Sequence, residues 1–372
     1  MSAIHLEHIS KKFGRKTALG DITVDIPETT FTTVLGPPGA GKTTLLRILA
    51  GLERADSGKI IMNGVDVSQR LPGERGVSFV AQDFALYPHM NVFRNISYPL
   101  RLRKTSRDEI KRKVTETARF LKIDKLLDRE PTQLSGGEQQ RVAIARGLVK
   151  DARLYLFDEP LTNLDYKIRE DMRAEFRKIQ HETGQTIVYA TSDSIEAISM
   201  SEYLIVMNEG QIVEVGKTTE VYAAPKSLFT ATYFGYPPMN TLPAKLGESE
   251  GGFTIDAGIF SVNIKGEKPR FKCSKPVAAV RPERLVLADR KPDTDAAFSA
   301  KIVLSDVIGS DTIVYLKPEN HPETVKAFVP STYRALPGHR VWVGLASRDL
   351  FIYDADSGLL AWKGEDVGSG QA

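Results

Sequence analysis

The stretch Gly36-Pro37-Pro38-Gly39-Ala40-Gly41-Lys42-Thr43 constrains this chain more than any other eight residues. It matches G-x-x-x-x-G-K-[ST] in full. The β-branched run Phe31 to Leu35 precedes it, and Thr43 to Ala50 follow with helix-forming composition. Gly51 stands where a helix C-terminus favours glycine. Strand, glycine loop and helix are therefore predicted as one unit. Glycines let the backbone wrap around phosphates, and the N–H groups at the helix N-terminus face the anion. In such a loop Lys42 reaches the β- and γ-phosphates of a nucleoside triphosphate and Thr43 ligates Mg²⁺. Gly36, Pro37, Pro38, Gly39, Ala40, Gly41 and Thr44 complete the nucleotide-binding set. The bland alternative is a glycine turn before a core helix, which would not call for the whole motif in this setting.

Leu154 to Glu159 (LYLFDE) read as its companion, an apolar strand that presents two carboxylates at its C-terminal end. Ligands of α/β sheets bind at that end. Asp158 is expected to hold Mg²⁺ through water, and Glu159 to polarise the attacking water as a general base. Alone, an apolar run before Asp-Glu is a weak signal; beside the phosphate loop it is strong.

Ile187 to Ala190 form a further buried-strand candidate, and helix-length segments separate these strands. That spacing predicts a parallel, helix-covered sheet. Tyr98 to Leu127 read as helical, with Ser106 and Glu109 fitting a capping box and Ile110, Val114 and Leu121 on one face. Tyr203 to Val206 and Ile212 to Val215 read as a hairpin around Asn208-Glu209-Gly210. The character changes near Tyr236, where Pro237, Pro238 and Pro243 punctuate the chain. Beyond it come short alternating strands, among them Val277 to Val280, Ile302 to Leu304, Thr312 to Leu316 and Val341 to Val343. A small all-β domain of the five-stranded barrel kind is expected there, with a frayed tail after Trp362. At 372 residues, two domains are the default.

Composition adds exclusions. No run approaches the roughly 18 apolar residues that a membrane helix needs. The N-terminal MSAIHLEHIS lacks the build of a signal peptide. Cys273 is the single cysteine, so no internal disulfide is possible and a reducing compartment is the simpler expectation. A net charge of +3, from 50 basic and 47 acidic groups, gives no case for nucleic acid as a partner.

Leu134 to Arg141 read LSGGEQQR. With the two motifs above, this octet makes residues 1–236 resemble the ABC transporter ATPases, with a helical subdomain at about residues 88–150. The resemblance implies two such domains sandwiching two ATP molecules. It implies that Phe13 stacks on adenine, and that Gln82 senses Mg²⁺ and couples to membrane subunits. Leu161 to Asp165 (LTNLD) would form the loop at the dimer interface. Leu134, Ser135, Gly136, Gly137, Glu138 and Gln139 would face the partner's ATP. The bland readings are core packing for Phe13, surface polarity for Gln82 and a helix N-cap for Ser135.

The run ALYPHMNVFRNISYPL after Gln82 is similar to the maltose- and glycerol-phosphate-type carbohydrate importer ATPases. So, more loosely, are VRPERL, SDVIGSDTIVYL and FIYDADSGLLAW in residues 237–372, which resemble the accessory OB-like (TOBE-type) barrel of that subfamily. One position departs. After the strand Ile187 to Ala190 the family places a histidine on the γ-phosphate, and here Ser192 stands. Losing one aimed donor costs about 10²- to 10³-fold in rate.

The resemblance implies an ATP-hydrolysing subunit of an importer for a sugar, polyol or related solute, peripheral on the cytoplasmic face of the inner membrane. Its expected partners are two transmembrane permease subunits, an extracytoplasmic solute-binding protein and a second ATPase subunit. That subunit is a paralogue with the histidine intact, or else a second copy of this chain. Ser192 motivates the alternative of a degenerate, largely non-hydrolytic ATP-binding partner. A DNA-handling ATPase is disfavoured, because no long heptad segment separates Lys42 from Ser135 and no basic stripe appears.

Overall fold

The computed structural model describes residues 2–162, 164–265, 273–319 and 321–364. The chain forms two compact units, Met1–Thr219 and Glu220–Ala372.

In the first unit the elements are, in order, β1 (Ser2–Phe13), β2 (Lys16–Pro27), β3 (Phe31–Leu35), α1 (Lys42–Ala50), β4 (Ser57–Met62), β5 (Val65–Asp66) and β6 (Val77–Val80). There follow α2 (Val92–Leu102), α3 (Arg107–Phe120), α4 (Gly136–Leu148), β7 (Leu154–Asp158), α5 (Tyr166–Thr183), β8 (Thr186–Thr191), α6 (Ser194–Met200), β9 (Tyr203–Asn208) and β10 (Gln211–Lys217). The central sheet runs β10-β9-β3-β8-β7-β6. Its strands are parallel, save for β10, which turns back on β9 as the expected hairpin. A four-stranded antiparallel sheet, β2-β1-β4-β5, accompanies it.

β7 and β8 show why the central strands read as apolar runs rather than as alternations. Successive side chains point to opposite faces, and both faces are buried. Leu154 and Leu156 join a core with α1, while Tyr155 and Phe157 join one with α2 to α5. Val188 and Ala190 divide from Ile187 and Tyr189 in the same way. Phe157 meets Phe176 of α5 edge-on at 4.8 Å, a favoured aromatic geometry.

The helical stretch predicted for Tyr98 to Leu127 is two helices. α2 ends at Leu102, Lys104 takes a left-handed φ of 57°, and Ser106 then caps α3 by accepting from Glu109 N–H. The expected face is correct, since Ile110, Val114 and Leu121 are buried.

The second unit is all-β apart from short helical turns, and its strand pairs are antiparallel. One sheet has five strands, with Ala296–Ile308 paired to both Asp311–Pro318 and Arg340–Leu345. Sheets of four and three strands add to it. Phe253, Ile255, Phe298, Val314, Val343 and Ile352 share one core. The tail expected to fray after Trp362 begins two residues later at the earliest, since Lys363 pairs with Phe351 and Gly364 N–H donates to Leu350 O at 2.9 Å; residues 365–372 lie outside the described residues.

The expected division near Tyr236 lies later in the chain than the one between Thr219 and Glu220. Residues 220–236 read as a continuation of the α/β half, but their partners lie in the second unit. Arg281, 4% exposed, lies 3.6 Å over the Tyr222 ring and donates to the carbonyls of Tyr222 and Phe234. Tyr353 Oη donates to Pro225 O at 2.8 Å, and Leu228 N–H to Gly358 O at 2.8 Å. A fragment ending at Thr219 is therefore expected to unfold cooperatively. One ending at Tyr236 should be less soluble, because Phe234, fully buried in the whole chain, is stripped of its cover. Thermal unfolding and sedimentation of both fragments check this; a longer fragment that is the more stable and equally soluble would overturn it.

Candidate functional site

β3 is buried along its whole length and delivers the phosphate loop at its C-terminal end. Two glycines there are required by geometry. A Cβ on Gly36 would strike the Met207 carbonyl, and one on Gly41 would come 2.6 Å from Ala18 O. Gly41 also has φ 101°, a region open to glycine alone at low cost. Gly36 N–H donates to Thr191 O at 3.3 Å, and Gly210 N–H to Ala40 O at 3.1 Å, so neighbouring strands brace the loop. α1 starts at Lys42 with no side-chain cap. Its first N–H groups lack intrahelical acceptors, which suits an anion.

Lys42 is 4% exposed. Its Nζ donates to Gly36 O at 2.8 Å and Pro37 O at 3.1 Å, and lies 3.1 Å from Glu159 Oε1. The ammonium is thus held at the mouth of the loop by groups that a phosphate can replace. Thr43 Oγ1 donates to Asp158 Oδ1 at 2.9 Å. Burial pushes the Asp158 carboxyl up from its ordinary range, and the Thr43 hydrogen bond opposes that. Glu159 N–H bonds Ala190 O at 3.0 Å, and Glu159 sits at φ 46°. That left-handed backbone costs about 1 kcal/mol or more for a residue with a side chain. It turns the carboxylate from the strand end toward Lys42.

A cavity of about 380 Å³ is lined by Phe13, Lys16, Pro38 to Gly39, Gly41 to Thr44, Gln82 and Glu159. The structure therefore brings together the aromatic, most of the phosphate loop, the glutamine and the expected base. Asp158 joins through Thr43. Gly36, Pro37 and Ala40 do not line the cavity; they shape the loop and hold Lys42. Phe13 is half-exposed at the end of β1, with Lys11 Nζ 5.3 Å from its ring centre.

Other expected residues stand apart from this cavity. Ser135 caps α4 in a reciprocal box, its N–H and hydroxyl donating to Glu138 Oε2 at 2.8 and 2.9 Å. The Ser135 N–H holds the Glu138 carboxyl below its usual range. Gln139 Nε2 donates to Pro131 O and Leu134 O. Gly136 has open space around it, and Gly137 sits close to Leu164. Asp165 caps α5, accepting from Ile168 N–H at 2.9 Å. Ser192 follows β8, partly buried, before Asp193 caps α6. None of these lines the phosphate-loop cavity of its own chain.

Mg²⁺ fits the donor set. It prefers oxygen ligands, keeps several waters, and takes one or two carboxylates plus substrate phosphates rather than a protein cage. Thr43 and Asp158 supply such oxygens, and no cage of three His, Cys, Asp or Glu occurs among the described residues.

Sequence reading missed three residues here. Lys16 lines the cavity. Asn95, fully buried on α2, donates to Tyr87 O, Met90 O and Asn91 O and accepts from Tyr87 N–H. Arg146 donates to the carbonyls of Phe84 and Ala85. For Asn95 a signal existed, a polar residue next to Ile96 on a helix face otherwise apolar.

Fold and site define a phosphate-loop ATPase domain followed by an antiparallel β domain. The profile described as ABC transporter matches residues 19–162, and that described as TOBE domain matches 278–352. The chain is 35% identical over 364 residues to the sn-glycerol-3-phosphate import ATP-binding protein UgpC of Psychromonas ingrahamii, covering 96% of this chain and 95% of that one. It is 34% identical to UgpC of Escherichia coli (strain K12), covering 96% and 99%. It is 35% identical to the uncharacterized ABC transporter ATP-binding protein y4oS of Sinorhizobium fredii, covering 96% and 94%. Among solved structures it resembles the dimeric post-hydrolysis state of the ATP-binding cassette MJ0796 bound to ADP and Pi. That match has TM-score 0.55 and 29% identity, and covers 58% of this chain and 98% of that one. The chain belongs to the ABC transporter family as an ATP-binding, ATP-hydrolysing protein.

Proposed function

We propose that this chain drives an importer for a sugar, polyol or their phosphate esters, working from the cytoplasmic face of the inner membrane. The observation that carries the reading is the extent of the likeness. Identity to the glycerol-3-phosphate import proteins runs over 96% of the chain, so it includes the β domain and not the ATPase motifs alone. No helix among the described residues is long and apolar enough to cross a membrane. The chain would dock on two permease subunits. An extracytoplasmic binding protein would deliver the solute.

ATP enters with adenine on Phe13 and its phosphates in the loop. Lys42 exchanges Glu159 and the loop carbonyls for phosphate oxygens. Thr43, Asp158 and Gln82 would hold Mg²⁺, which spreads the charge of the β- and γ-phosphates. Glu159, freed from Lys42, accepts the proton of the attacking water. Ser135, Gly136 and Gly137 complete the site of the second ATPase subunit. Ser192 stands two residues beyond the carbonyl that anchors Glu159 N–H, so a histidine there would have steadied the water and the glutamate. We take the second subunit to be a paralogue that keeps this histidine. The non-hydrolytic alternative draws no support from the site, where Lys42, Thr43, Asp158 and Glu159 are assembled.

The test is reconstitution in vesicles with the permease and binding subunits that copurify with it. ATP turnover and uptake should rise with binding protein loaded with sn-glycerol-3-phosphate or a related polyol ester. Turnover that ignores every loaded binding protein but rises with duplex DNA would defeat the reading.

A further inference from the structure

The last turn of α4 makes contacts that none of the nucleotide motifs requires. Arg146 donates from Nη1 to Ala85 O at 2.6 Å and from Nη2 to Phe84 O at 2.9 Å. Its guanidinium carbon lies 5.5 Å from the centre of the Tyr87 ring. Phe84 and Ala85 both hold left-handed backbone, with φ 59° and 47°, which residues with side chains adopt only when something fixes them. The same turn grips the strand on the other side of Gln82. Gly147 lies so close to Val80 that a Cβ would collide with it. Ser78 Oγ donates to Gly147 O at 2.7 Å, and Lys150 Nζ to Val77 O at 2.6 Å. One helix end therefore brackets Gln82, through residues 77–80 before it and 84–85 after it.

We propose that Arg146 is a positioning residue for ATP hydrolysis. It fixes the segment after Gln82 onto α4, so that Gln82, bracketed at the C-terminal end of this 13-residue helix, and Ser135, its N-cap, are carried as one body. The inference rests on the nucleotide roles of Gln82 and Ser135 given under the proposed function. Arginine suits the task because its planar fork presents two donors at fixed spacing to two adjacent carbonyls. A lysine can satisfy one of them at a time. Ser135 would then feel the partner's ATP while Gln82 feels this chain's own Mg²⁺, and the rigid helix would make each position depend on the other.

The experiment compares Arg146→Met, Arg146→Lys, Gln82→Ala and the Arg146→Met/Gln82→Ala double variant of the full chain in the assembled transporter. The readouts are the thermal midpoint and the Mg²⁺ half-saturation of ATP turnover with the partner subunit's catalytic glutamate replaced by glutamine, so that turnover reports the site on Lys42. Arg146→Met should raise the half-saturation about tenfold, the scale for groups that orient metal ligands, and Arg146→Lys should restore part of the loss. The double variant should be no worse than Gln82→Ala, since a residue acting through another adds nothing once that other is gone. Additive losses overturn the proposal. So does an unchanged Mg²⁺ half-saturation with a lowered midpoint, which would make Arg146 a contact that only holds the fold. Impairment by Arg146→Met beside a neutral Gln82→Ala overturns it too. Should Arg146→Met fail to fold, Arg146→Lys must show the shift or the proposal falls. A failure of the underlying ATPase reading is separate: it would appear as ATP turnover by the isolated chain that survives Lys42→Ala.

Discussion

Lys42→Ala should reduce ATP turnover to background and strongly weaken ATP binding, while leaving the chain folded. Lys42 Nζ already sits among acceptors at the loop mouth, two carbonyls and the Glu159 carboxylate. A γ-phosphate arriving there would meet it as a charge-assisted donor. Lys16 also borders the cavity, but it lies on β2 beside Phe13 and outside the loop. The variant takes the Lys42 donor from Gly36 O and Pro37 O, the latter still held by Ala40 N–H at 3.1 Å, and leaves Glu159 without its cation, so a modest loss of stability accompanies the loss of function. Nucleotide-binding titration and phosphate release on the purified variant, with a thermal midpoint as control, check this. Near-normal turnover would sink the assignment.

The second large effect concerns which half of a dimer does the work. Glu159→Gln in this chain is expected to cost little in the assembled transporter, whereas the same change in the histidine-bearing partner should stop it. The asymmetry follows from Ser192. On the proposed function this chain would supply Ser135, Gly136 and Gly137 to the partner's site, which would then be complete. The site on Lys42 has Asp158 and Glu159 but a serine at the end of β8, and one missing aimed donor slows a step by about 10²- to 10³-fold. Steady-state ATP turnover of the two single variants decides it. Equal losses, or an active transporter built from two copies of this chain and no paralogue, would defeat the expectation.

How much of this was legible in the sequence depended on how local each constraint is. Gly36 to Thr43 could be read because the loop, its entering strand and its leaving helix are contiguous. Asp158 and Glu159 were legible because the apolar run of β7, buried on both faces, leads into two carboxylates in a chain that also carries the phosphate loop. What escaped depends on contacts distant in sequence. The helix predicted from Tyr98 breaks at Lys104, where a left-handed residue interrupts a charged, amphipathic stretch that looks continuous. Residues 220–236 are locally helical and resemble the half before them; their contacts with Arg281, Tyr353 and Gly358 lie far along the chain. Arg146 looks like any basic residue near a helix C-terminus, favoured there by the dipole. Its partners, two carbonyls some sixty positions earlier, leave no trace in their own side chains.

The division between Thr219 and Glu220 has a meaning for how such chains can be recombined. A β domain exchanged between relatives at the proline-rich stretch after Tyr236 would leave Tyr222, Pro225 and Phe234 with the donor of the wrong half. Arg281 and Tyr353 of the incoming half would then meet a foreign strap. A graft that starts at Glu220 carries its strap with it, so the natural unit of exchange includes a helical leader that looks, in sequence, like the tail of its neighbour.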